Sequence, residues 1–329
     1  MTQGTYSPKK GLGFRFLAFL LAFCMIMVGC GSAAKDEAST DTTKPSGSTE
    51  TTRTIKHAMG ETTIKGDPKK VVILTNEGTE ALLALGVKPV GAVKSWVGDP
   101  WYPHIASDMQ GVTVVGDEGQ PNLEAIAALQ PDLIIGNKMR HEKIYEQLSA
   151  IAPTVFSTDL RGNWKVNFTL YAEALNKKAE GDKVLADYDK KVADLKAKAG
   201  DKLKNQISLV RFMPGKARIY YNNTFAGIIF KDLGLARPAK QNNDGFSDDV
   251  TKERIPDMEG DIMFYFTYET GNGQATKLEQ EWTNDPLFKN LNVVKSGKAY
   301  KVDDTIWNTA GGVRAANLML DDLAKYLLK

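Results

Sequence analysis

The stretch NLEAIAALQPDLIIG (122–136) returns in weaker form as KERIPDMEGDIMFYF, beginning at Lys252. In each copy a Glu (Glu124, Glu253) is followed two residues on by Ile, five on by Leu or Met, and eight on by an Asp that opens an apolar run. This is a short helix feeding a buried strand, written twice. A second echo lies in LLALGVKPV at 82 and IFKDLGLARPA at 229, which share a Leu-Gly-apolar core followed by Pro. A chain that repeats its helix–strand unit is read as two similar α/β lobes.

The alternation around these copies supports that reading. VVILT (71–75), PVGAV (89–93), VTVV (112–115) and TVFS (154–157) are short β-branched runs without period-2 polarity, separated by segments of helical spacing. Strands of this kind belong to parallel sheets covered on both faces. From Trp164 to Ala199 only Gly181 interrupts a helical pattern, so one long helix, bent near Gly181, is predicted to join the lobes. Beyond it ISLVRFM (207–213), ARIYY (217–221), the second copy of the motif, AYKV (299–302) and a helix from Gly311 to Leu328 make the second lobe. The expected divisions are 54–163, 164–200 and 201–329.

The first thirty residues are of another kind. Lys9, Lys10 and Arg15 precede the run FLAFLLAFCMIMVG, which ends at Cys30. That is an export signal (1–29), and MVGC resembles a bacterial lipobox with Met27 where Leu is more usual. Cys30 is the implied lipidation site. Residues 30–53 are rich in Ser, Thr, Ala, Gly, Lys and Asp, a composition that cannot bury a core and reads as a flexible tether. Loss of the signal removes three cations and takes the formal charge from +2 to −1, which gives no reason to expect nucleic acid. Cys24 leaves with the signal, and His57, His104 and His141 are widely spaced, so a protein-built metal site or a His-dependent hydrolase is improbable on inventory. No GxSxG, P-loop or GxGxxG motif points to an enzyme.

An exported lipoprotein carrying PNLEAIAALQPDLIIG, a long mid-chain helix and ERIPDMEGDIMFYF resembles the substrate-binding proteins of ABC importers for ferric siderophores and cobalamin. The resemblance covers essentially the whole mature chain. It implies two Rossmann-like lobes with parallel sheets joined by a helix, no enzymatic activity, and a monomer anchored to the outer face of the cell membrane. It also implies that Glu124 and Glu253 dock onto arginines of the permease, although a Glu in a first helical turn is favoured by the helix dipole in any case. A helix joining both lobes resists hinge bending, so only a small closure on ligand binding is predicted.

In two-lobe α/β proteins ligands sit at the carboxyl ends of the strands. Residues just after strands are therefore the binding candidates: Trp96, Trp101 and Tyr102 after PVGAV, Arg140 after LIIG, Arg211 at the end of ISLV, and Tyr220 and Tyr221 after the next strand. Loop packing would also account for the aromatics, and ion pairs with nearby carboxylates for Arg140 and Arg211. In WNTAGGVRAANLML, Trp307 lies on a loop and Arg314 in the first turn of a helix, where a cation opposes the dipole, so Arg314 and the free amides there are read as facing an anion. NKMR and the WNTAGG segment look most like binders of citrate-based siderophores, among them schizokinen, aerobactin and the staphyloferrin class. Iron would enter only inside that complex, with no protein ligand and no cofactor. Cobalamin or haem binding, an enzyme on a doubly wound scaffold, and direct binding of a metal ion are the competing readings.

Overall fold

The computed structural model describes residues 52–160 and 162–328. The signal segment, Cys30 and the tether up to residue 51 lie outside the described residues. The described chain begins with an antiparallel hairpin, Thr52–His57 with Gly60–Lys65, so regular structure starts two residues inside the expected tether. The hairpin docks on the last strand of the first lobe, where Thr62 Oγ1 donates to the Thr154 carbonyl at 2.7 Å.

The first lobe is a five-stranded sheet in the order Thr113–Val114, Gly91–Ala92, Val71–Ile73, Leu133–Asn137, Thr154–Ser157, with every pair parallel. The second sheet runs Ser247–Val250, Lys216–Tyr220, Ile207–Met213, Ile262–Thr267, Ala299–Lys301. Its last three strands are parallel, but its first two are antiparallel, which corrects the expectation of a parallel sheet there. The cause is short. Only Pro214 and Gly215 separate Met213 from Lys216, and a parallel partner needs a crossover of roughly a dozen residues.

The repeated pattern folds as its spacing demands. Asn122 caps the Leu123–Ala128 helix by accepting the Ala125 amide at 3.0 Å, and Ile126 is fully buried. The second copy carries Pro256 inside its helical segment and forms the tighter Lys252–Met258 turn, because proline removes a backbone donor. The Asp of each copy ties its unit to the central strand of its lobe. Asp132 accepts the amides of Lys69 (2.8 Å) and Lys70 (3.0 Å) just ahead of Val71, and Asp261 accepts the Gln206 amide (2.7 Å) just ahead of Ile207.

The segment expected as one helix is two. Trp164–Ala174 ends at a break where Asn176 takes φ 57°, and the linking helix proper is Lys178–Ala199. Asparagine tolerates that left-handed conformation, which lets it end a helix. Gly181 marks no bend: it lies within the linking helix, and a Cβ there would stand 2.6 Å from Ala172 Cβ of the neighbouring helix. Tyr188, Val192, Leu195 and Ala199 bury the same face of the linking helix. One buried cluster runs through both lobes, joining Val71 and Leu82 to Trp164, Tyr188, Phe264 and Leu320, while smaller clusters cover the outer face of each sheet. The closing helix, Val313–Leu327, belongs to this shared layer.

Gly181→Ala sets two effects against each other. Helix propensity favours alanine by about 1 kcal/mol, whereas overpacking a tight contact costs roughly 1–3 kcal/mol. Net destabilisation is expected, read as a lower urea midpoint with an unchanged slope; a higher midpoint would show that the two helices have room to part.

Candidate ligand cleft

A cavity of about 340 Å³ opens between the lobes. The first lobe lines it with Glu77, Trp96, Glu118 and Arg140, and the second with Arg211, Met213, Arg218, Tyr220 and Tyr268. The run Asn308–Gly311, leading into the closing helix, completes the wall.

The second-lobe wall is one face of a hairpin. The Pro214–Gly215 turn fixes the register, pairing Met213 with Lys216 and Arg211 with Arg218. Side chains alternate along a strand, so Arg211, Met213, Arg218 and Tyr220 share a face. Two guanidiniums directly opposite each other repel. Each is therefore compensated. Asp304 holds Arg211 by two bonds, from Nε at 2.6 Å and Nη2 at 3.0 Å, and Asp249 accepts from Arg218 Nε at 2.5 Å. Arg211 Nη1 also donates to the Tyr220 hydroxyl at 3.2 Å, and its guanidinium lies 4.8 Å from the Tyr268 ring centroid. Behind this wall Arg237 donates to the Tyr220 carbonyl at 2.6 Å, and burial lowers its pKa to about 10, still a cation at neutral pH.

On the opposite wall Arg140 follows the Leu133–Asn137 strand. Its Nε donates to Glu118 Oε1 at 3.3 Å, and its guanidinium stands 6.0 Å from the Trp96 ring centroid. The other Glu118 oxygen accepts both the amide and Nδ2 of Asn76, each at 2.9 Å, so the carboxylate that orients Arg140 is itself fixed. Beside it the Asn137 amide donates to His141 Nδ1, leaving Nε2–H to donate to the Glu118 carbonyl at 2.7 Å. Burial lowers the His141 pKa, and the neutral ring serves as a brace. Glu77 is different. Its Oε2 accepts from Asn167 Nδ2 at 3.1 Å, while Oε1 has no hydrogen-bond partner among the described residues. Burial first, and then the neighbouring carboxylates Glu118, Asp159 and Glu80, push its acid well above the usual carboxylate range.

Of the residues singled out in the sequence, Trp96, Arg140, Arg211 and Tyr220 line this cavity. Trp101, Tyr102, Trp307 and Arg314 do not, which corrects the sequence reading for all four. Trp101 and Tyr102 are buried, and the Tyr102 hydroxyl donates to the Thr309 carbonyl at 3.0 Å. Trp307 is fully buried, its ring centroid 4.5 Å from that of Phe264 and its indole N–H donating to Asp322 at 3.2 Å. Arg314 pairs with Asp108 and donates to the Leu83 carbonyl at 3.1 Å. The anion at that helix start is Glu80, whose Oε2 accepts the Ala315 amide at 2.9 Å. Tyr221, offered beside Tyr220, is buried in the outer cluster of its lobe. Glu124 and Glu253 are exposed on the two repeated helical segments.

Sequence reasoning passed over Arg218, Tyr268, Glu77 and Glu118. Tyr268 directly follows the Ile262–Thr267 strand and obeys the rule that found Arg140. Arg218 follows from the hairpin register, once the Pro-Gly turn is taken as a two-residue connection. Glu77 and Glu118 come two and three residues after the runs VVILT and VTVV and obey the same rule.

Residues 71–305 match the family described as periplasmic binding protein. The chain belongs to that family. Its members bind substrates and are not enzymes. "Probable siderophore-binding lipoprotein YfiY" of Bacillus subtilis is 54% identical over 331 residues, covering 98% of this chain and 99% of its own. "Fe(3+)-citrate-binding protein YfmC" of the same organism is 32% identical over 326 residues, covering 98% of each. The crystal structure of Staphylococcus aureus SirA complexed with staphyloferrin B matches with a TM-score of 0.78 at 40% identity, covering 84% of this chain and 98% of that one. No helix among the described residues is long and apolar enough to cross a membrane.

Glu77 gives a pH prediction. Below the ordinary carboxyl value of 4.5 both folded and unfolded chains hold its proton. Above it the unfolded chain releases the proton while the folded one keeps it, so Glu77 erodes stability as pH rises from 4.5 toward its raised folded value. Glu77→Gln has no proton to lose. Its Tm relative to the native protein is expected to climb between acid and neutral pH in scanning calorimetry, and a pH-independent difference would refute the buried-acid assignment.

Proposed function

We propose that this protein captures a ferric siderophore in the cavity between its lobes and delivers it to an ABC permease. A lipid on Cys30 would hold it at the outer face of the membrane after export. The ligand class favoured is the citrate–hydroxamate type, of which schizokinen is an example. The observation that carries this reading is the convergence of Arg140, Arg211 and Arg218 with Trp96 and Tyr268 on one cavity. Planar guanidiniums suit carboxylates by paired hydrogen bonds, and the aromatic rings offer faces for stacking. Arg140 is the donor with most to give: Nε alone is engaged among the described residues, leaving both Nη groups for a ligand. The names of the relatives support the coarser reading of a ferric siderophore or ferric citrate ligand, since SirA was solved with staphyloferrin B and YfmC is named for ferric citrate. Iron is cargo here, and the siderophore supplies its ligands.

Tryptophan quenching of the chain lacking residues 1–30 tests the ligand, with ferric schizokinen, aerobactin, citrate, ferrichrome and a catecholate, and cobalamin. Citrate–hydroxamate complexes are expected to bind tightest. Arg140→Ala should weaken them about tenfold or more, the scale of a lost charged hydrogen bond, whereas Arg314→Ala should leave affinity within a factor of about two because Arg314 serves the lobe contact. Preference for cobalamin or the catecholate would replace the ligand class.

Glu124 and Glu253 are assigned the permease contact, one carboxylate on each lobe. Reversing both charges with lysine is expected to leave siderophore affinity unchanged and to abolish uptake by cells. Unimpaired uptake would remove the docking role.

A further inference from the structure

Among the described residues no cation contacts the Glu77 carboxyl at the cavity wall: Glu118 has Arg140, while Glu77 accepts from the Asn167 amide. It is 7% exposed, and its Oε1 is buried with no partner among the described residues. A buried polar atom left unmade costs free energy, and such atoms in folded proteins call for an explanation. The groups around it do not provide one as hydrogen-bond partners. From its own helix comes Glu80, from the loop carrying the Arg140 partner comes Glu118, and Asp159 and the Tyr171 phenol face it from the other elements. All are acidic. The closing helix approaches the Glu77 carbonyl through Gly312, and its Arg314 is turned to Asp108. Burial first, and then these neighbouring acids, favour the protonated form of the carboxyl, and a neutral carboxyl has one O–H to donate.

We propose that Glu77 is a ligand-contacting donor, giving the O–H of its unpartnered oxygen to an anionic oxygen of the bound ligand at the cavity floor. This rests on the siderophore reading above and deepens it: the guanidiniums hold the charged periphery of the ligand, and Glu77 adds a neutral donor. An ionised carboxylate there would repel the same ligand, so the donor role requires the protonated form. Ionising Glu77 then opposes binding, and affinity falls as pH rises into its titration range.

Infrared difference spectroscopy on the full chain in detergent tests this in two arms. The free protein is expected to show the carbonyl band of a neutral carboxylic acid that Glu77→Gln lacks; its absence overturns the proposal whatever the ligand. On adding the tightest binder among the ferric complexes above, that band should shift, and Glu77→Gln, which keeps a donor, should retain affinity within a few-fold while Glu77→Ala loses about tenfold. A band that does not move, or Glu77→Ala binding like the native protein, overturns the contact. If no ferric siderophore quenches the native tryptophans while the neutral-acid band is present in the free protein, the ligand reading fails, and with it the contact proposed here.

Discussion

The buried carboxylate of Glu80 is the point on which the two lobes meet. One of its oxygens accepts the Ala315 amide at the start of the closing helix, and the other pairs with His104. Helix starts leave amides unsatisfied, and here a side chain more than two hundred residues away along the chain supplies the acceptor. The contact is so close that a Cβ on Gly312 would fall 2.6 Å from that carboxylate, so glycine is demanded by proximity and not by backbone angle. Arg314 closes the same junction through Asp108 and the Leu83 carbonyl. The last helix of the chain is thereby bound to the first helix of the first lobe, and the shared core follows.

The cavity inherits its shape from this junction. Gly311, at the cavity wall, directly precedes the glycine that touches Glu80. Tyr102 braces both sides: its hydroxyl donates to the Thr309 carbonyl of one wall and accepts the Trp96 amide of the other at 3.4 Å. Tyr102 thus holds both walls without lining the cavity itself.

Much of the architecture was legible in the sequence, because buried parallel strands and short amphipathic helices leave a periodicity. The duplicated unit was visible for the same reason, and its two aspartates now have a physical role at the strand entrances. Positions after strands led to Trp96, Arg140, Arg211 and Tyr220. What the sequence did not disclose depends on contacts remote along the chain. Nothing local distinguishes the indole of Trp307, turned to Asp322 and Phe264, from that of Trp96, turned to the cavity. The strand Lys216–Tyr220 is buried on most of its length, so its pattern does not reveal its direction; the two-residue turn does. The break at Asn176 was hidden because asparagine is tolerated inside helices as well as at their ends.

The facing arginines of the hairpin have a consequence for how an anion finds this cleft. Asp304, Asp249 and Glu118 accompany Arg211, Arg218 and Arg140, so positive charge is presented as local dipoles more than as a net field. Such a surface does little to draw a ligand from beyond a Debye length, about 8 Å at physiological salt. Ionic strength then acts weakly on the encounter rate, and selection among anions falls to the short-range fit of hydrogen bonds after contact.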